Sequence, residues 1–586
     1  MTADLAPVEG PWDRRRATCA VALLRDFNLA GVLEPADVHV ATRLGAASGE
    51  HDPRVLLAAA LLVRAVRQGS VCLDLATVAL TAPALGWPDL QGWNAAVRAS
   101  PLTTIGVLRE DHGLLYLDRY WQEEGQVCAD VRRRRDAQPP VVDETRLRES
   151  LAAHFVGEPF AEQRSAAEVA CRHWISVITG GPGTGKTTTI ARFLGAALSA
   201  SERPVRVALA APTGKAAARL GQAVASAAGS DGFPGGRRAQ VAGLKATTIH
   251  RLLGPLPGSS SRFRHHRGNP LPHDLVVIDE TSMVSLTLTA RLLDALRPDA
   301  RLVLVGDADQ LASVDAGAVL TDLVDGLGQL GDPRVARLRT SHRFGTGIAV
   351  VADAVRRGDA EEAIGALRAA ERAACDATLV DLATAREVVV AAAGRLVDAA
   401  AAGDRAGAVA ALDAHRLLCA HREGPYGVRQ WNHQVEEALR QRGSADWLPQ
   451  WYAGKPLLVT ANDYGQGLYN GDTGVVTRAS PGAELIAVIA DGEHPDGRAY
   501  PLARLADVET AHAMTVHRSQ GSQFDAVTVV LPEADSPLLT RELLYTALTR
   551  AKTTVRIVGS EDVVRAAVQR RARRASGLAR RLTQGP

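Results

Sequence analysis

The sequence predicts an α/β protein of several domains, in which buried parallel strands alternate with helices around a nucleotide-binding loop. Three observations predict it. A chain of 586 residues is too long for one hydrophobic core, and three or four domains are expected at that length. From about residue 160, short β-branched runs alternate with Ala/Leu-rich segments, the pattern of strands covered on both faces by helices. Directly after the first of those runs stands a glycine-rich loop of the phosphate-binding type.

In chain order, residues 1–115 read as a helical domain. Segment 55–68, VLLAAALLVRAVRQ, carries apolar residues round most of a helix surface, and nothing catalytic accompanies it. Residues 116–159 read as a linker, marked by the run Arg132 to Arg135 and by Pro139 and Pro140. A first α/β domain spans 160–347, with strands expected at 175–179, 205–211, 274–279 and 301–307. A second spans 348–586, with strands expected at 416–420, 525–531 and 554–560. Within it, 455–510 is richer in Gly, Asp and Val, and its runs PLLVT, TGVVT and LIAVIA read as a small all-β insertion. Residues 353–411 are Ala-rich and read as packing helices.

Composition narrows the function class. A hydrophobic content of 46% with 23% charged residues is that of a soluble globular protein. The net charge of +2 does not by itself mark a nucleic-acid binder. Two basic clusters, 132–135 and 570–581, read as a solvated linker and a solvated tail. Six scattered cysteines without a C-x-x-C argue against a zinc ribbon and suit free thiols in a reducing cytoplasm, the expected location. The stretch MTADLAPVEGPWDRRR lacks the apolar centre of a signal peptide, and no run approaches the ~20 apolar residues of a membrane span.

The chemistry centres on the loop. Gly180-Gly181-Pro182-Gly183-Thr184-Gly185-Lys186-Thr187 fits G-x-x-x-x-G-K-[ST], follows a strand and opens a helix at Thr187-Thr188. Its glycines let backbone N–H groups turn inward around phosphate oxygens, and the helix N-terminus adds a favourable dipole. Lys186 is expected on the β and γ phosphates of ATP, and the Thr187 hydroxyl on Mg²⁺. The run VVIDE (276–280) supplies the matching acidic strand end, with Asp279 on Mg²⁺ and Glu280 polarising the attacking water as general base. Phosphoryl transfer also needs positive charge at the γ-phosphate, and Arg343 in TSHRF and Arg550 in YTALTRAK are the candidates.

Seven segments stand in order between 180 and 552: GGPGTGKTT (180–188), APTGKAAARL (211–220), VVIDE, GDADQL (306–311), TSHRF (340–344), TVHRSQGSQFD (515–525) and YTALTRAK (545–552). Together they resemble the motif series of superfamily 1 helicases. The resemblance implies two RecA-like P-loop motor domains and gives further residues a task. Gln163 becomes the reader of adenine, and Gln310, with Asp307, the γ-phosphate sensor coupled to DNA. Thr213, Thr248, His250, Thr515, His517 and Ser519 become positions facing single-stranded DNA.

Four more stretches, SVCLDL (70–75), YLDRYWQEE (116–124), RFRHHRGNPLPHDLVVIDE (262–280) and GKPLLVTANDYGQGLYNGDTGVV (454–476), are similar to the RecD family, the alpha subunits of RecBCD (exonuclease V) complexes. That closer resemblance implies 5′-to-3′ translocation on single-stranded DNA, action at double-stranded DNA ends, and an SH3-like fold for the β insertion. It also implies an N-terminal domain that docks on a RecC-like subunit in a heterotrimer with a RecB-like one. The chain departs from the family at Ser285, where an acidic residue is usual, and in its Arg-rich tail. A nuclease core of the type found in such complexes needs [Glu/Gln]-x-Lys. Two residues before the five lysines stand Thr184, Thr213, Gly243, Ala453 and Arg550, so the nuclease is expected on another subunit. Two alternatives remain: a stand-alone RecD-like helicase and a nucleotide-binding scaffold subunit. The absence of hairpin repeats in 1–150 weighs against the first, and the intact set Lys186, Glu280, Gln310, Arg343 and Arg550 against the second.

Overall fold

The computed structural model describes residues 7–584 apart from 9, 11, 21, 158–159, 231–232, 257–261, 341–345, 373–375, 444–449, 464, 481, 491–496 and 573. The N-terminal region is built round helix Pro53–Arg67, capped by Asp52, whose carboxylate accepts from the Arg54 amide at 2.8 Å. Leu57 to Leu62 of that helix are all buried, which suits its lack of a polar face. The region is not purely helical. Strands β1 (Cys72–Leu73), β2 (Leu108–Asp111) and β3 (Leu114–Leu117) form a small antiparallel sheet in the order β1-β3-β2. The β2–β3 turn is His112-Gly113, both at positive φ, the two-residue hairpin conformation that usually shows itself as Asn-Gly.

The stretch expected to be a linker is mostly helix. Helix Asp118–Asp136 packs on helix Leu286–Asp294, and helix Glu144–His154 packs on helix Lys186–Ala200, where the Ser150 hydroxyl donates to the Ala196 carbonyl at 3.0 Å. Arg134 is buried rather than solvated. Its guanidinium donates to the carbonyls of Ala300 (2.7 Å) and Arg297 (2.9 Å), so the basic run ties down a neighbouring turn. Pro139 and Pro140 separate the two helices.

The first motor domain holds β4 (Ile175–Gly180), β5 (Val207–Ala211), β6 (Ala246–Thr248), β7 (Leu275–Ile278), β8 (Arg301–Gly306) and β9 (Val335–Leu338). They form one parallel sheet in the order β6-β5-β7-β8-β4-β9. Its central strands are buried along their length, as their unbroken apolar runs require. The second motor opens with β10 (Ala377–Val380) and β11 (His415–Cys419). The insertion follows as β12 (Pro456–Val459), β13 (Thr473–Arg478), β14 (Leu485–Ile489), β15 (Arg498–Pro501) and β16 (Val508–Thr510), a five-stranded antiparallel sheet. The motor closes with β17 (Ala513–Thr515), β18 (Phe524–Val530) and β19 (Ala551–Val558), giving a parallel sheet in the order β10-β19-β18-β11-β17. Strand β10 lies inside the Ala-rich stretch, whose remaining described elements are helices.

The Arg-rich tail is packed over part of its length, with Arg571 and Arg580 exposed and Arg581 buried. It leaves the second motor and returns across the first to the N-terminal region. The Val71 amide donates to the Ala575 carbonyl at 2.9 Å. Fully buried Glu124 accepts from the Gly577 amide (2.9 Å) and the Ser576 hydroxyl (2.8 Å). Arg581 is ion-paired with Asp111 (2.7 Å) and Glu124 (3.2 Å). Leu578 and Leu582, one helical turn apart, are buried against helix Val319–Gln329. No helix among the described residues is long and apolar enough to cross a membrane.

Candidate active site

Strand β4 delivers the chain to the glycine-rich loop. A Cβ on Gly180 would lie 2.7 Å from the Leu338 carbonyl, so only glycine fits there, and Gly183 and Gly185 sit at φ near +80°. The Thr184 hydroxyl donates to the Gly181 carbonyl at 2.8 Å. Lys186 opens the helix, and its ammonium donates to the carbonyls of Gly180 (2.6 Å) and Gly181 (3.0 Å). Thr187 and Thr188 occupy the first turn of that helix.

Pro182, Gly183 and Gly185 to Thr188 line a cavity of about 740 Å³ at the meeting of the two motors. At one end, Gln163 is buried rather than exposed. Its Nε2 donates to the Thr184 carbonyl at 3.2 Å, while Oε1 is buried without a hydrogen-bond partner. Phe160 lies beside it, with the Arg192 guanidinium 4.3 Å from its ring centroid. At the other end, β7 runs out at Asp279 and Glu280. Burial, then the neighbouring Glu280, pushes the Asp279 carboxyl upward. Glu280 adopts φ 51°, ψ 41°, a left-handed conformation that costs a non-glycine residue ~1–3 kcal/mol. The strain turns the chain sharply into the short 3₁₀ turn Thr281–Met283 and leaves Glu280 lining the cavity.

The end of β8 carries the expected sensor. Buried Asp307 accepts from Gln310 Nε2 (2.9 Å) and from the Tyr545 hydroxyl (3.2 Å), and burial holds its carboxyl above the usual range. Gln310 Oε1 accepts from Arg550 Nη2 at 3.0 Å. Arg550 also donates to the carbonyls of Thr546 (3.1 Å) and Ser522 (3.2 Å), and burial lowers its pKa. Two further bonds join the motors here. The Leu311 amide donates to the Thr546 hydroxyl (2.9 Å), and Gln520 Nε2 donates to the Leu311 carbonyl (2.7 Å). Tyr545 was not assigned from the sequence. Its hydroxyl also stands over the loop, 2.8 Å from where a Gly181 Cβ would be. Its one sequence signal is its place at the head of YTALTRAK, five residues before Arg550.

The structure thus gathers Gln163, the loop, Lys186, Thr187, Asp279, Glu280, Gln310 and Arg550 at one cavity. Arg343 lies outside the described residues. The positions expected to face DNA divide. Thr213 and Thr248 cap helices, accepting from the amides of Ala216 (3.2 Å) and Arg251 (3.1 Å), and Thr515 accepts from the Arg518 amide (3.3 Å). His250 is exposed and His517 half-buried. Ser519 is fully buried, and its hydroxyl donates to the Val516 carbonyl at 2.7 Å, closing its own turn. Ser285, the departure from the family pattern, caps helix Leu286–Asp294 by accepting from the Leu288 amide at 3.3 Å.

Comparison with known proteins agrees with this geometry. Residues 29–148 match the family of the RecBCD enzyme subunit RecD, N-terminal domain, which takes in helix Asp118–Asp136. Residues 160–378 match the AAA domain family, and 510–558 the UvrD-like helicase C-terminal domain. The RecBCD enzyme subunit RecD of Mycolicibacterium smegmatis is 55% identical over 574 residues, 96% of this chain and 99% of that protein. That of Mycobacterium tuberculosis is 55% identical over 576 residues, 96% of this chain and 97% of its own. The ATP-dependent RecD2 DNA helicase of Deinococcus radiodurans is 34% identical over 425 residues, which is 72% of this chain but 52% of that protein. The two mycobacterial matches run nearly end to end, and the chain belongs to the RecD family of RecBCD enzyme subunits.

Proposed function

We propose that this chain is the ATP-driven 5′-to-3′ helicase subunit of a RecBCD-type complex that unwinds and degrades DNA ends during recombinational repair. The observation that carries the reading is the cavity shared by both motors, with Gln310 of one bonded to Arg550 of the other. A nucleotide bound there touches both motors at once, so its binding and hydrolysis change how they sit together.

In this reading the adenine meets Gln163, and the buried Oε1 is the acceptor left for its amino group. The loop amides from Gly183 to Thr188 cradle the phosphates and Lys186 exchanges loop carbonyls for phosphate oxygens, which bind an ammonium more strongly. Thr187 and Asp279 would hold Mg²⁺. No group of three or more His, Cys, Asp or Glu able to cage a metal exists among the described residues, and one hydroxyl with one carboxylate suits a cation that shares its shell with phosphate and water. When bound there, the ion would supply positive charge to the phosphates. Glu280 orients and deprotonates the attacking water. Arg550, together with Arg343, neutralises charge developing on the γ-phosphoryl group. Gln310 and Asp307 transmit the state of that group to the second motor through Arg550 and Tyr545.

RecB-like and RecC-like subunits are the partners, with the N-terminal domain docking on the latter and the nuclease on another subunit. The five-stranded insertion is read as SH3-like, His250 and His517 as part of the single-stranded DNA path, and the cytoplasm as the location. A stand-alone helicase is the second reading; the 55% identity to two mycobacterial RecBCD subunits, against 34% to the Deinococcus enzyme, favours the subunit. Unwinding of two duplexes, one with a 5′ tail and one with a 3′ tail, tests the proposal, with Lys186→Gln as the blank. ATP-dependent unwinding of only the 5′-tailed duplex is expected; unwinding of only the 3′-tailed one would overturn the polarity.

A further inference from the structure

Arg219 is a charged residue of the cleft to which the ATP chemistry above gives no task. It lies on helix Gly214–Gly229, whose first turn is capped by Thr213 and whose Ala216 Cβ stands 3.6 Å from where a Gly521 Cβ would be. The guanidinium lines the same cavity as Lys186, Asp279, Glu280, Gln310 and Arg550. Its Nη1 crosses between the motors and donates to the Gly521 carbonyl at 3.0 Å. Among the described residues it has no ion pair, so this carbonyl takes one of five N–H donors. Gly521 sits at φ +73°, in a turn whose next carbonyl, that of Ser522, accepts from Arg550. Two arginines, one from each motor, therefore hold adjacent carbonyls of one turn. That turn belongs to segment 515–523, which also carries Thr515 and His517.

We propose that Arg219 binds the γ-phosphate of ATP, giving up the Gly521 carbonyl to do so, and thereby reports ATP to the 515–523 segment of the second motor. The inference rests on the ATPase reading. Its direction follows from charge: an anionic phosphate oxygen attracts a guanidinium more strongly than a neutral carbonyl does, and the planar fork can hold phosphate by two bonds where Gly521 offers one. With ATP bound the turn loses its Arg219 tie to the first motor while Gln520 stays on the Leu311 carbonyl; once the γ-phosphate leaves, the guanidinium returns to Gly521 and draws that part of the turn back. Arg550 keeps its hold on Ser522 throughout by a different nitrogen from the one on Gln310.

The test uses the full-length chain. Fluorescent mant-ADP and non-hydrolysable mant-AMPPNP are titrated into wild type, Arg219→Ala, Arg219→Lys and Lys186→Gln. Affinity for a labelled dT oligonucleotide is measured with each nucleotide. Arg219→Ala is expected to weaken AMPPNP by about tenfold while ADP stays within about twofold, and to bring the oligonucleotide affinities measured with AMPPNP and with ADP together. Arg219→Lys, a point charge without the fork, should recover part of the AMPPNP affinity but not the difference in DNA affinity. Equal weakening of both nucleotides, or an unchanged difference in DNA affinity, would overturn the proposal. Should Arg219→Ala fail to give a cooperative melt, Arg219→Gln is read by the same criteria. Failure of wild type to bind either nucleotide would instead strike the ATPase reading, so the two failures are distinguishable.

Discussion

Charges wholly or partly out of water are handled in opposite ways in the nucleotide cleft and in the clasp of the C-terminal tail. In the clasp, Arg581 faces Asp111 and Glu124, and Glu124 also takes an amide and a hydroxyl; opposite charges answer each other. In the cleft they do not. Lys186, Arg219 and Arg550 rest on neutral carbonyls and a side-chain amide, and Asp279 accepts from a backbone amide. A cation held by carbonyls stays available to an anion, whereas one held by a carboxylate is spent on the fold. The difference separates residues kept for a ligand from residues kept for architecture, although both sets draw on arginine in a chain with few lysines.

The comparison breaks first at Lys186 and Glu280. Lys186→Gln should lower single-turnover hydrolysis by about a thousandfold, roughly 4 kcal/mol of barrier, with an unchanged urea midpoint, because no native ion pair is lost. Glu280→Gln should still bind ATP yet hydrolyse it ~10²–10⁴-fold more slowly; near-normal turnover would remove the general-base assignment. The clasp should behave in reverse. Glu124→Ala leaves Arg581 without its buried partner and should cost about 3–5 kcal/mol of stability in urea denaturation. Hydrolysis by the folded fraction should match wild type. A large fall in kcat at full folding would mean that the clasp is part of the motor.

Gln310→Ala probes the boundary between the two regimes. It removes the acceptor for Arg550 Nη2 and the donor to Asp307 together. Stimulation of hydrolysis by single-stranded DNA is expected to fall about tenfold, with KM for ATP changed by less than about threefold. An equal fall with and without DNA would make Gln310 part of the chemistry rather than of the coupling.

The two regions also differed in how legible they were. The motor strands stand out because unbroken runs such as ISVIT and RLVLVGD have few alternatives to a doubly covered parallel sheet. The loop is legible because its glycines answer backbone needs that no other residue meets. Where burial is achieved by arginine, sequence reading fails. Helix Asp118–Asp136 and the tail look solvated because their polar residues are many, yet Arg134 and Arg581 bury long stems and place their heads on carbonyls and carboxylates. The strain at Glu280 and the inward turn of Ser519 have no compositional mark, since each depends on which group the backbone leaves within reach.

The smallest effect sharpens the same contrast at Ser285. An acidic residue usual at this position invites a reading as part of the acidic strand end, five residues after Glu280. The structure gives it a local task instead, since its hydroxyl accepts from the Leu288 amide at the start of helix Leu286–Asp294. Serine and aspartate are near-equal N-caps, so either residue can serve the helix while only aspartate adds a charge. Ser285→Ala should therefore cost about 1 kcal/mol in urea denaturation, and Ser285→Asp should stay within about 0.5 kcal/mol of wild type. Hydrolysis should be unaffected in both. A change in kcat with Ser285→Asp at unchanged stability would show that charge at this position reaches the reacting phosphate, and would move Ser285 from the architecture to the ligand side of the comparison.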